Sequence, residues 1–154
     1  MNDARGSIEN LLYRYAELID AGDYEGIGEL FAHGSITDEQ GNPMATGAEA
    51  VTKLYYTTTR KYPDGTPKTQ HILTNALVEF LDDGTAECRS RFTVLQQTDV
   101  LPLQPIASGQ YVDRFERVDG EWRFAERELR DFLYGDRSQH ILWELGSGPT
   151  DEEA

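Results

Sequence analysis

The chain has 154 residues, of which 38% are hydrophobic, and its formal net charge is −14. That length suits one domain with a modest core, and so acidic a chain is a poor match for phosphate backbones or anionic membranes. A lone cysteine, Cys88, excludes an intrachain disulfide and any multi-cysteine zinc site. The first residues carry no secretory signal, and no apolar run approaches the roughly 20 residues of a membrane span. The sequence therefore predicts no nucleic-acid partner, no membrane partner and a cytoplasmic location.

Ser7 is a candidate N-cap, and behind it Ile8, Leu11, Leu12, Tyr15, Leu18 and Ile19 recur at helical spacing. At about 100° per residue they fall on one arc, with Tyr15 near its middle. Gly22 suits the stop, and Asp23 suits the cap of a second helix carrying Ile27, Leu30 and Phe31. The stretch Gly34 to Gly47, rich in Gly, Asn, Asp and Pro, reads as a loop. Thr46 stands three residues before Glu49, a capping-box pattern for a third helix with Val51, Leu54, Tyr55 and Thr58 on its stripe. Pro63-Asp64-Gly65 closes the helical region.

From Lys68 onward the period changes to two. His71–Leu81, Thr85–Gln97, Ser108–Val118 and Trp122–Phe132 each read as strands. Asp82-Asp83-Gly84 and Asp119-Gly120 are tight-turn signals that make neighbouring pairs antiparallel, while Pro102 and Pro105 make Thr98–Ala107 a longer connection. Helices first and strands afterwards predict an α+β fold with helices on one face of the sheet. In the first strand His71, Leu73, Asn75 and Leu77 share one face, and Ile72, Ala76, Val78 and Phe80 the other. With neither face fully polar, an oligomer, a homodimer or homotrimer, is expected through the uncovered side. Residues 1–145 form the domain and Gly146–Ala154 an acidic tail.

Common nucleophile, phosphate-loop and zinc-protease patterns are absent, and His33, His71 and His140 are too dispersed for metal spacing, so no metal is expected. Asp20 is the first unusual residue, a carboxylate at the C-terminal end of a helix where the macrodipole disfavours it. It is either a solvated turn aspartate or a functional acid at the rim of the buried stripe. His71, at the start of a strand, is either a hydrogen-bonded core residue or a base. Contact between them would decide, because a carboxylate fixes the tautomer of an imidazole and stabilises its conjugate acid. Their separation of 51 positions cannot show that contact.

Five runs, in this order, resemble the SnoaL-like proteins: Tyr13 to Tyr24 (YRYAELIDAGDY) followed by Leu30-Phe31, Gly47 to Val51, Thr69 to Asn75 (TQHILTN), Gly109 to Phe115 (GQYVDRF) and Val118 to Phe124 (VDGEWRF). The resemblance spans nearly the whole domain. It implies the cone-shaped nuclear transport factor 2-like fold, with N-terminal helices packed on a curved antiparallel sheet around a pocket. Within that superfamily the chain looks like scytalone dehydratase and the bile acid dehydratases. That implies an Asp20–His71 dyad, and Tyr15 matches a pocket tyrosine of the bile acid branch. The chain departs from scytalone dehydratase at Ile19, where a tyrosine is usual, and at Leu95 or Gln96, where a second histidine is. Gly109 and Tyr111 likewise stand in for a serine and an asparagine that contact substrate.

The resemblance thus points to a lyase that removes water from a hydrophobic cyclic hydroxy-carbonyl compound, with His71 as base and no organic cofactor. Tyr15 is a candidate proton donor, and Tyr55, Arg91, Tyr111 and Arg127 are candidate substrate-binding residues. Tyr55, Phe92, Phe115 and Trp122 are aromatic candidates for the pocket wall. The alternatives within the same fold are a ketosteroid isomerase- or polyketide cyclase-like enzyme, a ligand-binding protein, and a partner like the dioxygenase small subunit.

Overall fold

Asp3, not Ser7, starts the first helix: its carboxylate accepts the Gly6 N–H at 2.9 Å, and α1 runs from Ala4 to Ala21. Ser7 lies one turn further in, where its hydroxyl bonds back to the Asp3 carbonyl. The computed structural model describes residues 3–142, so the acidic tail expected at 146–154 lies outside the described residues. Among these residues no helix is long and apolar enough to cross a membrane.

The helix stops read from the sequence hold. Gly22 takes φ +74°, and a Cβ there would lie 2.0 Å from the Gly65 carbonyl oxygen, so only glycine fits. Asp23 then caps α2 (Tyr24–Leu30) by accepting the Gly26 N–H at 2.9 Å. Helix α3 (Gly47–Thr58) follows Thr46, whose side chain makes no capping bond. The capping box does not form, because Thr46 is the last residue of a strand and its side chain points outward.

That strand belongs to a hairpin where the sequence suggested a loop. β1 (Ser35–Thr37) and β2 (Pro43–Thr46) pair antiparallel around a turn in which Asp38 accepts the Gln40 and Asn42 N–H groups. Strands this short carry no readable period of two. The sheet order is β2-β1-β6-β5-β4-β3, with β3 at Thr69–Phe80, β4 at Ala86–Gln96, β5 at Gln104–Val118 and β6 at Glu121–Tyr134. The four long strands are antiparallel as expected; β1 runs parallel to β6, which makes the curved, unclosed sheet mixed. Asp119 and Gly120 both have positive φ, as their tight hairpin requires.

β3 carries a bulge that the sequence reading missed. Asn75 adopts φ +57° and the register with β4 skips between Thr74 and Leu77. Thr69, His71 and Leu73 therefore face inward before the bulge, and Ala76 and Val78 after it. Asn75 and Leu77 are exposed rather than continuing the His71 face. The uncovered side of the sheet mixes exposed Ile72, Leu77 and Leu133 with ion pairs such as Arg89–Glu79 at 3.1 Å.

The core lies between the helices and the inner side of the sheet. Ile8, Leu12, Tyr15, Ile19, Ile27, Phe31, Val51 and Tyr55 pack on Ala86, Cys88, Phe92, Val94, Phe115 and Phe124. Each fully buried large aliphatic or aromatic side chain contributes roughly 1.5–3 kcal/mol. Phe31 stacks on Phe124 at 4.6 Å, and Trp122 meets Phe80 at the hairpin end of the sheet. Cys88 is fully buried, and burial pushes its thiol up to about 11. β6 carries the chain away from the hairpin end, and beyond it Ile141 bridges Thr59 and the Leu142 N–H donates to Thr58.

Candidate active site

Asp20 and His71 meet where the last turn of α1 crosses the start of β3. The His71 Nδ1 lies 2.6 Å from Asp20 Oδ1, and the His71 backbone N–H donates to Asp20 Oδ2 at 2.7 Å. Thr69, on the same face of β3, donates its hydroxyl to Oδ1 at 2.9 Å. Hydrogen bonds to a charged group contribute about 1.5–3 kcal/mol each, which outweighs the 0.3–1 kcal/mol typical of the helix-end penalty on a carboxylate. An ionised carboxylate only accepts, so with the imidazole neutral Nδ1 carries the proton and Nε2 keeps its lone pair. The His71 side chain is 4% exposed and that of Asp20 is 23%, which leaves the acid at the rim and the imidazole inside.

Tyr15 adjoins the dyad from the interior. Its ring stands edge-on to His71 at 6.3 Å and to Tyr111 at 5.9 Å, and its hydroxyl lies 2.6 Å from that of Tyr55. The Arg127 guanidinium covers the Tyr111 ring at 3.7 Å and the Tyr15 ring at 4.3 Å. Its Nε and Nη2 form a two-point fork on Asp113, both bonds 2.8 Å, and neither side chain is exposed at all. Burial works against the Arg127 cation, but the charge and hydrogen bonds of Asp113 prevail and hold it protonated. Burial, only partly opposed by Arg127, also raises the Tyr15 pKa, and Tyr55 and Tyr111 are pushed well above the usual phenol range. All three phenols are therefore protonated at neutral pH.

The structure thus gathers Asp20, His71, Tyr15, Tyr55, Tyr111 and Arg127 into one connected group. Arg91 stands apart: it projects from the outer face of β4, half exposed, 3.7 Å from Asp131. Phe92 stacks on Tyr111 at 4.3 Å, whereas Phe115 and Trp122 belong to the packed hairpin end. Sequence reasoning overlooked Thr69 and Asp113, although each lies two residues along a strand from a chosen residue and so shares its face. It also passed over the buried His140, which no periodicity marks.

Buried polar atoms without a partner include Arg127 Nη1, Ser90 Oγ and His140 Nδ1. Ser90 is the register neighbour of Tyr111, so the first two belong to the same inner face. Next to His71 the interior is occupied by Tyr15, and two clefts open at this end of the sheet. One of about 460 Å³ is lined by Tyr62, Asp64, Lys68, Val100 and Gln139 among others, and one of about 320 Å³ by Thr69, Gln96 and Leu103 among others. Asp20, His71 and Tyr15 line neither. Among the described residues no group of three or more His, Cys, Asp or Glu side chains is arranged to hold a metal ion.

Residues 2–128 match the SnoaL-like domain. No curated protein matches the chain. Among solved structures, a variant of Rv3472, a protein of unknown function from Mycobacterium tuberculosis, is 27% identical with a TM-score of 0.65, over 82% of this chain and 70% of that one. A provisionally assigned scytalone dehydratase from Novosphingobium aromaticivorans is 26% identical with the same TM-score, over 86% and 87%. A second protein of that organism, NTF2-like with a cystatin-like fold, is 24% identical with a TM-score of 0.66, over 81% and 79%, and shares the fold.

Proposed function

The chain belongs to the SnoaL-like domain family, and from that premise we propose that it is a dehydratase acting on a hydrophobic cyclic hydroxy-ketone. The observation that carries this reading is the buried His71 ring held by Asp20 at 2.6 Å. His71 Nε2 takes a proton from the carbon beside the carbonyl, and the C–H electrons move onto the carbonyl oxygen as an enolate. Asp20 stabilises the imidazolium so formed. The enolate then collapses to a carbon–carbon double bond as the C–O bond breaks, and the departing hydroxyl takes a proton from Tyr15 or from His71, leaving as water. Arg127, charged and with Nη1 unpartnered, supports the role of stabilising the enolate oxygen. The likeness to the provisionally assigned scytalone dehydratase supports the same reaction class.

The test is turnover of a panel of cyclic β-hydroxy ketones, β-hydroxycyclohexanone and its bicyclic analogues, followed by the ultraviolet absorbance of the new enone. His71→Ala and Asp20→Asn should each lower kcat by about 10²–10⁴-fold while circular dichroism stays unchanged. Turnover indifferent to both variants, or absent across the panel, removes the reading. One observation favours a second one, a cone that binds without catalysis: the rings of Tyr15, Tyr55 and Tyr111 occupy the interior beside the dyad. Under that reading no panel member turns over, and ligand affinity is the same in wild type and His71→Ala.

A further inference from the structure

His140 lies in the segment after β6, where hydrogen bonds fix its backbone and that of its neighbour. Its carbonyl accepts the Arg60 N–H at 2.8 Å just beyond α3, and its own N–H donates to the Arg137 carbonyl at 2.9 Å. The neighbouring Gln139 carbonyl accepts from Gln96 Nε2, at the end of β4, at 3.2 Å. Gln96 is in turn the register partner of Thr69, whose hydroxyl donates to Asp20. This chain of contacts sets His140 at the dyad's end of the sheet, where His71 and Asp20 both act on the charge of its ring.

The residue is 8% exposed, and its Nδ1 is buried without any hydrogen-bond partner. Burial foremost, and His71 next, lower its pKa to about 4, so it is uncharged at neutral pH. A neutral imidazole has one N–H to give and one lone pair to offer. A second cation at this place would repel the imidazolium that His71 becomes, whereas a neutral ring does not.

We propose that His140 is a further functional side chain of the Asp20–His71 site, a neutral imidazole whose Nδ1 hydrogen-bonds to an oxygen of the bound substrate. The inference rests on the dehydratase reading for the substrate class, a cyclic hydroxy-ketone. The neutral ring accepts from the hydroxyl or donates to the carbonyl; no covalent bond to His140 forms or breaks. It is a binding and orienting group, and the base remains His71.

The experiment uses the full chain labelled with ¹⁵N-histidine and titrated with α-tetralone, a bicyclic ketone that cannot lose water, with ring nitrogens read by NMR. Both His71 and His140 should shift. His140→Leu should weaken α-tetralone binding by about tenfold, and His140→Gln, whose amide can both donate and accept, should restore part of it. With a β-hydroxy ketone that turns over, His140→Leu should raise KM more than it lowers kcat. An unmoved His140 ring, or His140→Leu binding as tightly as wild type, overturns the inference. If no panel member turns over, the dehydratase reading falls and His140 is judged on the ring shifts alone. Should His140→Leu fail to fold, the wild-type shifts and His140→Gln decide.

Discussion

Asp20 holds His71 at two points, one carboxylate oxygen taking the ring N–H at 2.6 Å and the other the backbone N–H at 2.7 Å. The backbone bond fixes where the carboxylate sits, and the ring bond fixes which nitrogen is free. Thr69 adds a third donor from the same strand. Thr69→Val should therefore leave the dyad assembled but less firmly oriented. Its kcat on the best substrate of the panel should fall by about tenfold, well short of the loss in Asp20→Asn. Equal losses in the two variants would mean that the hydroxyl is as essential as the acid.

The Arg127–Asp113 fork is wholly buried, so its two halves are not independent. Asp113→Asn strands a guanidinium in the core and should lower stability to urea by about 3–5 kcal/mol. Replacing both, Asp113→Leu with Arg127→Met, should cost much less than the sum of the single changes, because no charge is left alone. A double variant as unstable as that sum would show that the pair contributes through packing rather than charge.

His140 links stability to acid. Its folded pKa, about 4, lies below the ordinary 6.5, so the unfolded chain takes up the proton first as pH falls. This group leaves stability unchanged above about 6.5, lowers it between there and about 4 by up to about 3 kcal/mol, and lowers it no further below. Urea midpoints of wild type and His140→Leu, compared at pH 7 and pH 5, read this directly. Parallel slopes would place the acid sensitivity elsewhere.

At the alkaline end, burial raises Tyr15, Tyr55 and Tyr111, and Tyr24 as well, above the usual phenol value of 10. The unfolded chain ionises first, so these phenols contribute stability that is lost as pH climbs past 10. Ultraviolet difference absorbance should rise in two steps, exposed tyrosines first and the buried set only together with loss of the circular dichroism signal. A single smooth rise in the folded protein would contradict their burial.

The sequence made α1 legible because its stripe, its Gly22 stop and the Asp23 cap all agree, and the long strands legible because alternation and turn residues agree. Asp20 and His71 could each be singled out, yet their contact is a property of how helix and sheet cross, which local spacing does not encode. Arg91 was misdirected for a related reason: choosing a face in β4 needs the register, and β4 is read correctly only once Phe92 and Ser90 are known to point inward. The Asn75 bulge shifted the inward set of β3 by one residue, and only a positive φ marks it. His140 lies in a segment without periodicity, placed by backbone bonds to Arg60 and Arg137.

Cys88 sits on the inner side of β4, fully buried, and it is the chain's single thiol. A maleimide can reach it only when helices and sheet part, so the alkylation rate counts those excursions one molecule at a time. Any compound that binds the closed cone must slow that rate in proportion to its occupancy. The buried sulfur thus offers a way to rank small molecules as binders before a single turnover has been seen.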